Sequence, residues 1–366
     1  MDRPPIDRME GPLLRPPYHP ARFGETSRRA PVGRGTVDGR TGAGPGGEAE
    51  QTPMPERSDP LDFEHRPVMV TEVVDALQGA PPGTVLDATV GGGGHAEAIL
   101  EARPDLCVVG LDLDDEAFVA SERRLARFGE RATLYRAHFA DLGSCLDRRT
   151  VEGLSGFLFD LGVSSPQLDC AERGFSYRHQ GPLDMRMDRR QELTAAQVVN
   201  EAEERELAGI LVRNADERFA HRIARAVVAR RPIGNTLELA EIVRSAIPAA
   251  VRRTGGHPAK RTFQAIRIEV NRELDRLSDT LDEAIDRLVP GGRGAVLSYH
   301  SGEDRLVKDR FSHATTGGCT CPPRLPCACG AQPTAMARRR SVRPSTVEVE
   351  ANPRAKSARL RVVERL

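Results

Sequence analysis

Four consecutive glycines, Gly91 to Gly94, constrain this chain more than any other feature. They stand between residues 84–88 (TVLDA), which read as a short apolar strand, and residues 94–102, which read as a helix. Four glycines in a row cost backbone entropy and pack nothing, so a plain tight turn is a poor explanation. A strand, a Gly-rich turn and a helix N-terminus together make a nucleotide-binding turn, in which the backbone comes close to a ligand. Asp112, at the end of the next apolar stretch and 18 residues beyond Gly94, is placed to accept hydrogen bonds from ribose hydroxyls. This geometry suits NAD or S-adenosylmethionine. Asp87, just ahead of the glycines, would repel a pyrophosphate and suits a ligand carrying an ammonium group.

The turn opens a βαβ rhythm. After it come a strand at 106–111, a helix at 115–128, a third strand at 132–136 and a fourth at 155–161. Strands alternating with helices predict a parallel sheet covered on both faces, an α/β fold of Rossmann-like type. The rhythm stops after Asp169, and from Thr194 to about Ile247 the pattern is purely helical. One long helix is expected over 262–288, stopped by Pro290-Gly291-Gly292, after which 293–299 resumes the strand pattern and 358–364 supplies the last strand. The chain therefore reads as a sheet domain in two pieces, 61–169 and 258–366, interrupted by a helical insertion at 170–257 that is expected to recognise the substrate. Residues 1–60 hold 11 Pro and 9 Gly and show no apolar periodicity, so they read as a disordered extension without chemistry.

Charge refines the picture. The net charge is zero, but residues 305–366 carry 13 basic and 4 acidic residues, while 61–304 carry 31 basic and 40 acidic. A basic end on an acidic body points to an anionic partner, or to an Arg-rich tail in a chain with only three lysines. No apolar run reaches the roughly 18 residues of a membrane span and no apolar signal region opens the chain, so a cytoplasmic protein with no membrane partner is expected.

The fourth strand ends in Phe159-Asp160-Leu-Gly-Val-Ser164-Ser165-Pro166-Gln167-Leu-Asp169. Ligands of open parallel sheets bind at the carboxyl ends of strands, so Asp160 should face the same crevice as Gly93 and Asp112. Asp160 and Ser165 are the expected catalytic pair. An exocyclic nucleobase amine has its lone pair drawn into the ring, and acceptors on its N–H groups favour the nucleophilic form. Taken alone, Ser-Ser-Pro is an ordinary loop.

The motifs together are more specific. His65-Arg-Pro-Val, Gly-Gly-His95, Asp160 to Asp169, Glu172-Arg-Gly-Phe-Ser176, Gly181-Pro-Leu-Asp-Met-Arg-Met-Asp188, His257-Pro-Ala-Lys260-Arg261-Thr262 and Ser298-Tyr-His-Ser301 with Glu303-Asp-Arg305 closely resemble the ribosomal RNA small subunit methyltransferase H family. The resemblance runs from His65 to Leu366. It implies a class I S-adenosylmethionine-dependent methyltransferase acting on the N4 amine of a cytidine in the decoding region of 16S rRNA, in the small ribosomal subunit. It also implies cofactor contacts at Gly93, Gly94, His95, Asp112, Phe139, Asp160 and Gln167. Read singly, His95 is equally a helix-start residue and Phe139 a core aromatic. Gly302 departs from the family pattern, where a larger apolar residue is usual, and should loosen the loop after the fifth strand.

Lys260 and Arg261 stand at the start of the long helix, against its macrodipole, and are the expected phosphate contacts with RNA. Cys319, Cys321, Cys327 and Cys329 are spaced C-x-C, so no metal ligand is assigned and a Cys-bearing loop is expected, with a zinc site or a redox pair as alternatives. Other readings are a nucleobase-amine methyltransferase with a different RNA or DNA target, a non-catalytic RNA-binding assembly factor, and an NAD dehydrogenase. The exact nucleotide, naked rRNA against assembled subunit, and monomer against dimer are left open by the sequence.

Overall fold

The computed structural model describes residues 67–252, 256–322 and 328–366. The extension expected at 1–60 and Cys327 lie outside the described residues, as does the side chain of Ser165.

One seven-stranded sheet organises the molecule. In chain order its strands are β1 (Gly83–Asp87), β2 (Leu106–Asp112), β3 (Ala132–Arg136), β4 (Leu154–Asp160), β5 (Leu288–Ser298), β6 (Ala335–Ala337) and β7 (Arg359–Arg365). They lie in the order β3-β2-β1-β4-β5-β7-β6. The first five are parallel, whereas β7 runs antiparallel to β5 and β6 antiparallel to β7. This is the Rossmann-like, doubly wound arrangement expected from the sequence. Strand order reverses between β1 and β4, and a crevice opens at such a switch point beyond the carboxyl ends of the strands.

The central strands are apolar because both faces are covered. Along β4, Phe157 and Phe159 join a cluster with Leu277, Leu281, Val307 and Phe311. Leu158, pointing the other way, joins Val73, Leu77, Val85 and Ile99. The side-chain period of two thus divides one strand between two cores.

The helices are α1 (Val70–Leu77), α2 (Gly94–Ala102), α3 (Asp115–Leu125), α4 (Leu142–Asp147), α5 (Ser165–Asp169), α6 (Ala195–Glu201), α7 (Glu204–Ala215), α8 (Ala220–Val228), α9 (Thr236–Ala246), α10 (Ala249–Arg252), α11 (Lys260–Asn271), α12 (Leu277–Asp286), α13 (Ser301–Thr316) and α14 (Thr346–Ala351). A third apolar cluster, from Phe175 to Val270, is built by α6 to α9 together with α11.

Two sequence expectations are corrected here. The single helix over 262–288 is two helices, because Arg272 caps α11 in a left-handed conformation (φ 51°). Its apolar stripe divides between two cores: Ile266 and Val270 join the helical cluster, and Leu277, Leu281 and Ile285 join the cluster beneath the sheet. Pro290-Gly291-Gly292 does not end a helix. It lies inside β5 as an irregularity, where pairing jumps from Leu154↔Leu288 to Gly156↔Arg293. Among the described residues no helix is long and apolar enough to cross a membrane.

Candidate active site

The glycine turn works by backbone geometry. Gly91 (φ 51°) and Gly93 (φ 78°) occupy the left-handed region that side chains disfavour. Gly93 caps α2 and sits so close to α3 that an added Cβ would lie 3.3 Å from Leu125 Cγ and Ser121. The Gly91 N–H turns to donate to Asp112 Oδ2 at 2.8 Å, and the Asp114 N–H donates to Asp112 Oδ1 at 2.8 Å. A carboxylate has about four lone-pair sites, so acceptor capacity remains for a ligand. Loss of solvent pushes the Asp112 carboxyl up to about 6, despite these two donors.

A cavity of about 500 Å³ lies at these strand ends, lined by Gly91, Gly94, His95, Asp112, Phe139 and Asp160 from the first half of the sheet. Asp160 ends β4, and its backbone N–H donates to Thr89 Oγ1 at 2.6 Å, which locks the two strand ends together. The Tyr299 hydroxyl donates to Asp160 Oδ1 at 2.7 Å. Burial and the charge of Asp160 push that phenol well above its ordinary range, so it stays protonated as the donor. His95 Nε2 lies 2.9 Å from the Val68 carbonyl, which can only accept, so Nε2 carries the proton there. His95 Nδ1 then faces Asp160 Oδ2 at 3.7 Å.

Asp87 behaves differently from the ammonium partner expected of it. It is 1% exposed and accepts the Thr89 N–H at 3.3 Å. Burial pushes its carboxyl up to about 8, and the charges of Asp160 and Asp112 act in the same direction. The β1 and β4 carboxyls therefore divide the work: Asp87 is a buried core group, and Asp160 is the carboxyl that lines the cavity.

Two polar braces hold the walls. Buried Asp114 caps α3 and accepts from Gln167 Nε2 at 2.8 Å and Arg173 Nη2 at 2.6 Å. Burial alone would raise the Asp114 carboxyl, but Arg173 and Gln167 hold it below its ordinary range. Across the cavity, Arg267 grips Glu273 through two 2.8 Å bonds. Glu303 accepts the Tyr299 N–H at 2.8 Å and lies 2.9 Å from His300 Nε2.

Gly94, His95, Asp112, Phe139, Asp160, Gln167 and Lys260 all line the cavity. Gln167 spends its amide on the protein, donating to Asp114 and accepting the Ser164 N–H at 3.1 Å. Phe139 lies edge-on to Phe159, with ring centroids 6.1 Å apart. Gly93 faces α3, and its neighbours Gly91 and Gly92 reach the wall in its place. Lys260 and Arg261 do open α11, but only Lys260 reaches the cavity; Arg261 is exposed and donates to the Asp216 carbonyl at 3.3 Å. Ser165 is the first residue of α5, on the cavity's β4 side. Gly302 loosens nothing: α13 starts at Ser301, and the Gly302 N–H donates to the capping His300 Nδ1 at 3.2 Å.

Tyr299, His300 and Arg354 are cavity residues to which sequence reasoning gave no role. The first two stand in the quoted Ser298-Tyr-His-Ser301 run, which was the available signal. The basic tail is also explained. Arg305 pairs with Asp216 (3.0 Å), Arg310 with Asp282 (3.1 Å), Arg359 and Arg361 with Asp304 (2.8 and 2.7 Å), and Arg365 with Asp286 (3.6 Å). Much of the charge asymmetry is therefore spent inside the molecule, while Arg338, Arg339 and Arg340 are exposed.

The chain is 51% identical over 312 residues to the ribosomal RNA small subunit methyltransferase H of Symbiobacterium thermophilum, covering 84% of this chain and 98% of that protein. It is 49% identical over 311 residues to the protein of the same name from Heliobacterium modesticaldum, covering 83% and 99%. Residues 62–366, which carry the sheet, the crevice and both braces, match the MraW methylase family throughout, and the chain belongs to that family.

Proposed function

We propose that this chain transfers a methyl group from S-adenosylmethionine to the exocyclic N4 amine of a cytidine in the decoding region of 16S rRNA, in the small ribosomal subunit. The observation that carries the reading is the pair of carboxylates at the switch point: Asp112 with acceptor capacity to spare, and Asp160 with one oxygen held by Tyr299 and the other open. Relatives named for small-subunit rRNA methylation support the substrate class.

The donor set fits the cofactor. Asp112 accepts from a ribose diol, Phe139 offers an apolar face to an adenine ring, and Asp160 Oδ2 takes an N–H. When bound, S-adenosylmethionine supplies an electrophilic methyl group. The chain supplies orientation, which is the larger part of catalysing an in-line transfer. The Tyr299 hydroxyl fixes the plane of the Asp160 carboxylate, so Oδ2 meets the amine in one direction. His95, anchored through Nε2, holds Nδ1 where a proton leaving the amine through Asp160 can be passed on. Ser165 is assigned a supporting acceptor role. The target base must leave its stack to reach this depth. Lys260 and the exposed Arg338–Arg340 run suit phosphate contacts, and the helical segment 170–257 together with α11 suits recognition of the surrounding RNA. The substrate places the activity in the cytoplasm.

The test is nucleoside mass spectrometry of unmodified small subunits incubated with the protein and S-adenosylmethionine. New N4-methylcytidine is expected. Tight binding without methylation of either subunits or naked rRNA would instead identify an assembly factor, and methylation of another base would move the target.

A further inference from the structure

Between α13 and β6 the chain makes an excursion whose ends are tied together. The Thr334 N–H donates to the Ala314 carbonyl at 2.9 Å. Gly317 (φ 60°) packs so closely on the returning arm that an added Cβ would lie 2.3 Å from the Gln332 carbonyl oxygen. In sequence the excursion, 317–332, is GGCTCPPRLPCACGAQ, with Leu325 its only large apolar residue. With so little apolar side chain in its sequence, such a segment is of the kind that a disulfide or a metal usually holds.

Three thiols nevertheless converge inside it. The Sγ atoms of Cys319, Cys321 and Cys329 all lie within 4.8 Å of one another. Two come from the outgoing arm and one from the returning arm, so a common ligand would clamp the two arms. A thiolate tetrahedron with Zn–S bonds of about 2.3 Å places its sulfurs about 3.8 Å apart, a separation this cluster accommodates. A disulfide would pair two of the three and leave the third over.

We propose that Cys319, Cys321 and Cys329 form a structural Zn²⁺ site that staples the α13–β6 excursion, with the fourth coordination position open to a further ligand. Cys327 lies outside the described residues. The site is separate from the strand-end crevice and supplies no step of methyl transfer. Its role is to give this segment a fixed shape, and metal binding there is folding free energy for that segment.

The experiment uses the full chain, purified from zinc-supplemented cells without a histidine tag and exhaustively dialysed. Elemental analysis should find stoichiometric zinc. Cys321→Ser and, separately, Cys329→Ser should lower that content by roughly tenfold or more, whereas Cys107→Ala should retain it. Replacement by Co²⁺ in the unmutated protein should produce thiolate-to-metal charge-transfer absorption, a readout that does not depend on either variant folding. Chelation should open 317–334 to protease while the rest of the chain stays resistant. Metal-free protein with reduced thiols and no Co²⁺ absorption would overturn the proposal. So would a Cys–Cys disulfide in the non-reduced intact mass, or zinc retained by both serine variants.

Discussion

Asp112 and Asp114 are two residues apart and have opposite fates. Asp112 stands on the crevice wall, held by backbone N–H groups and no cation, and lost solvation pushes its carboxyl up to about 6. Asp114 lies in the brace behind it, buried against Arg173 and Gln167, and is held below its ordinary range. The same contrast recurs across the cavity, where Asp160 keeps one oxygen open while Arg267, Glu273, Glu303 and His300 satisfy one another. Asp112 and Asp114 become ligand group and scaffold according to whether the protein supplies a cation. An under-partnered carboxylate backed by a fully partnered one is the arrangement expected of a binding wall on a rigid support.

The brace should be the costlier part to break. Arg173→Met removes the cation from a buried pair and leaves Asp114 uncompensated, so chemical denaturation should show a loss of about 3–5 kcal/mol. A loss under about 1 kcal/mol would mean that Gln167 and the α3 N-terminus suffice for Asp114, and the contrast between wall and brace would fail.

On the wall, Asp160→Asn keeps the shape and the Tyr299 contact and removes the charge. Single-turnover methylation of small subunits should fall at least about a hundredfold with melting near that of the parent. Near-parental turnover would reduce Asp160 to a strand-end anchor.

Asp112→Ala should leave a folded protein and weaken S-adenosylmethionine binding about ten- to a hundredfold by calorimetry, for the roughly 1.5–3 kcal/mol of a charge-assisted hydrogen bond. Unchanged affinity would take the ribose contact away from this residue.

The smallest effect is a pH dependence that belongs to the wall alone. The folded Asp112 carboxyl titrates near 6, above its ordinary value, so the unliganded fold is favoured by protonation at low pH and loses that contribution as pH rises through about 6. Ligand binding has the opposite sign, because only the ionised form accepts two hydroxyls fully. Cofactor affinity should therefore fall as pH drops below about 6, by at most about tenfold per unit. Asp114, held low by Arg173, stays charged through that window. A flat affinity between pH 5 and 7 would show that the ligand does not lean on the Asp112 charge.

Much of this wall was legible in the amino-acid order. The glycine turn, Asp112 and Asp160 lie at strand ends that the apolar runs mark directly, and α2 begins at the residue the pattern indicated. These are local facts: a strand's length and the residue after it fix where a carboxylate emerges. The resemblance implies a ligand contact at Gly93, but the direction it faces, toward α3, is set by packing that no motif shows. The break at Arg272 leaves no mark in the apolar period, although Ile266 and Val270 before it join the helical cluster and Leu277 and Leu281 after it join the cluster beneath the sheet.

The partners of those carboxylates were a different matter. Tyr299 reaches Asp160 from 139 positions away, and Arg173 reaches Asp114 from 59. That Arg359, Arg361 and Arg365 would find acids depended on β7 turning back antiparallel beside β5. Cys329, likewise, meets Cys319 and Cys321 only in space. Periodicity and turn chemistry act over a few residues and are written into neighbouring side chains. Charge compensation acts over a few ångströms in space, so only the packed sheet could decide which acids were neutralised and which were left to bind.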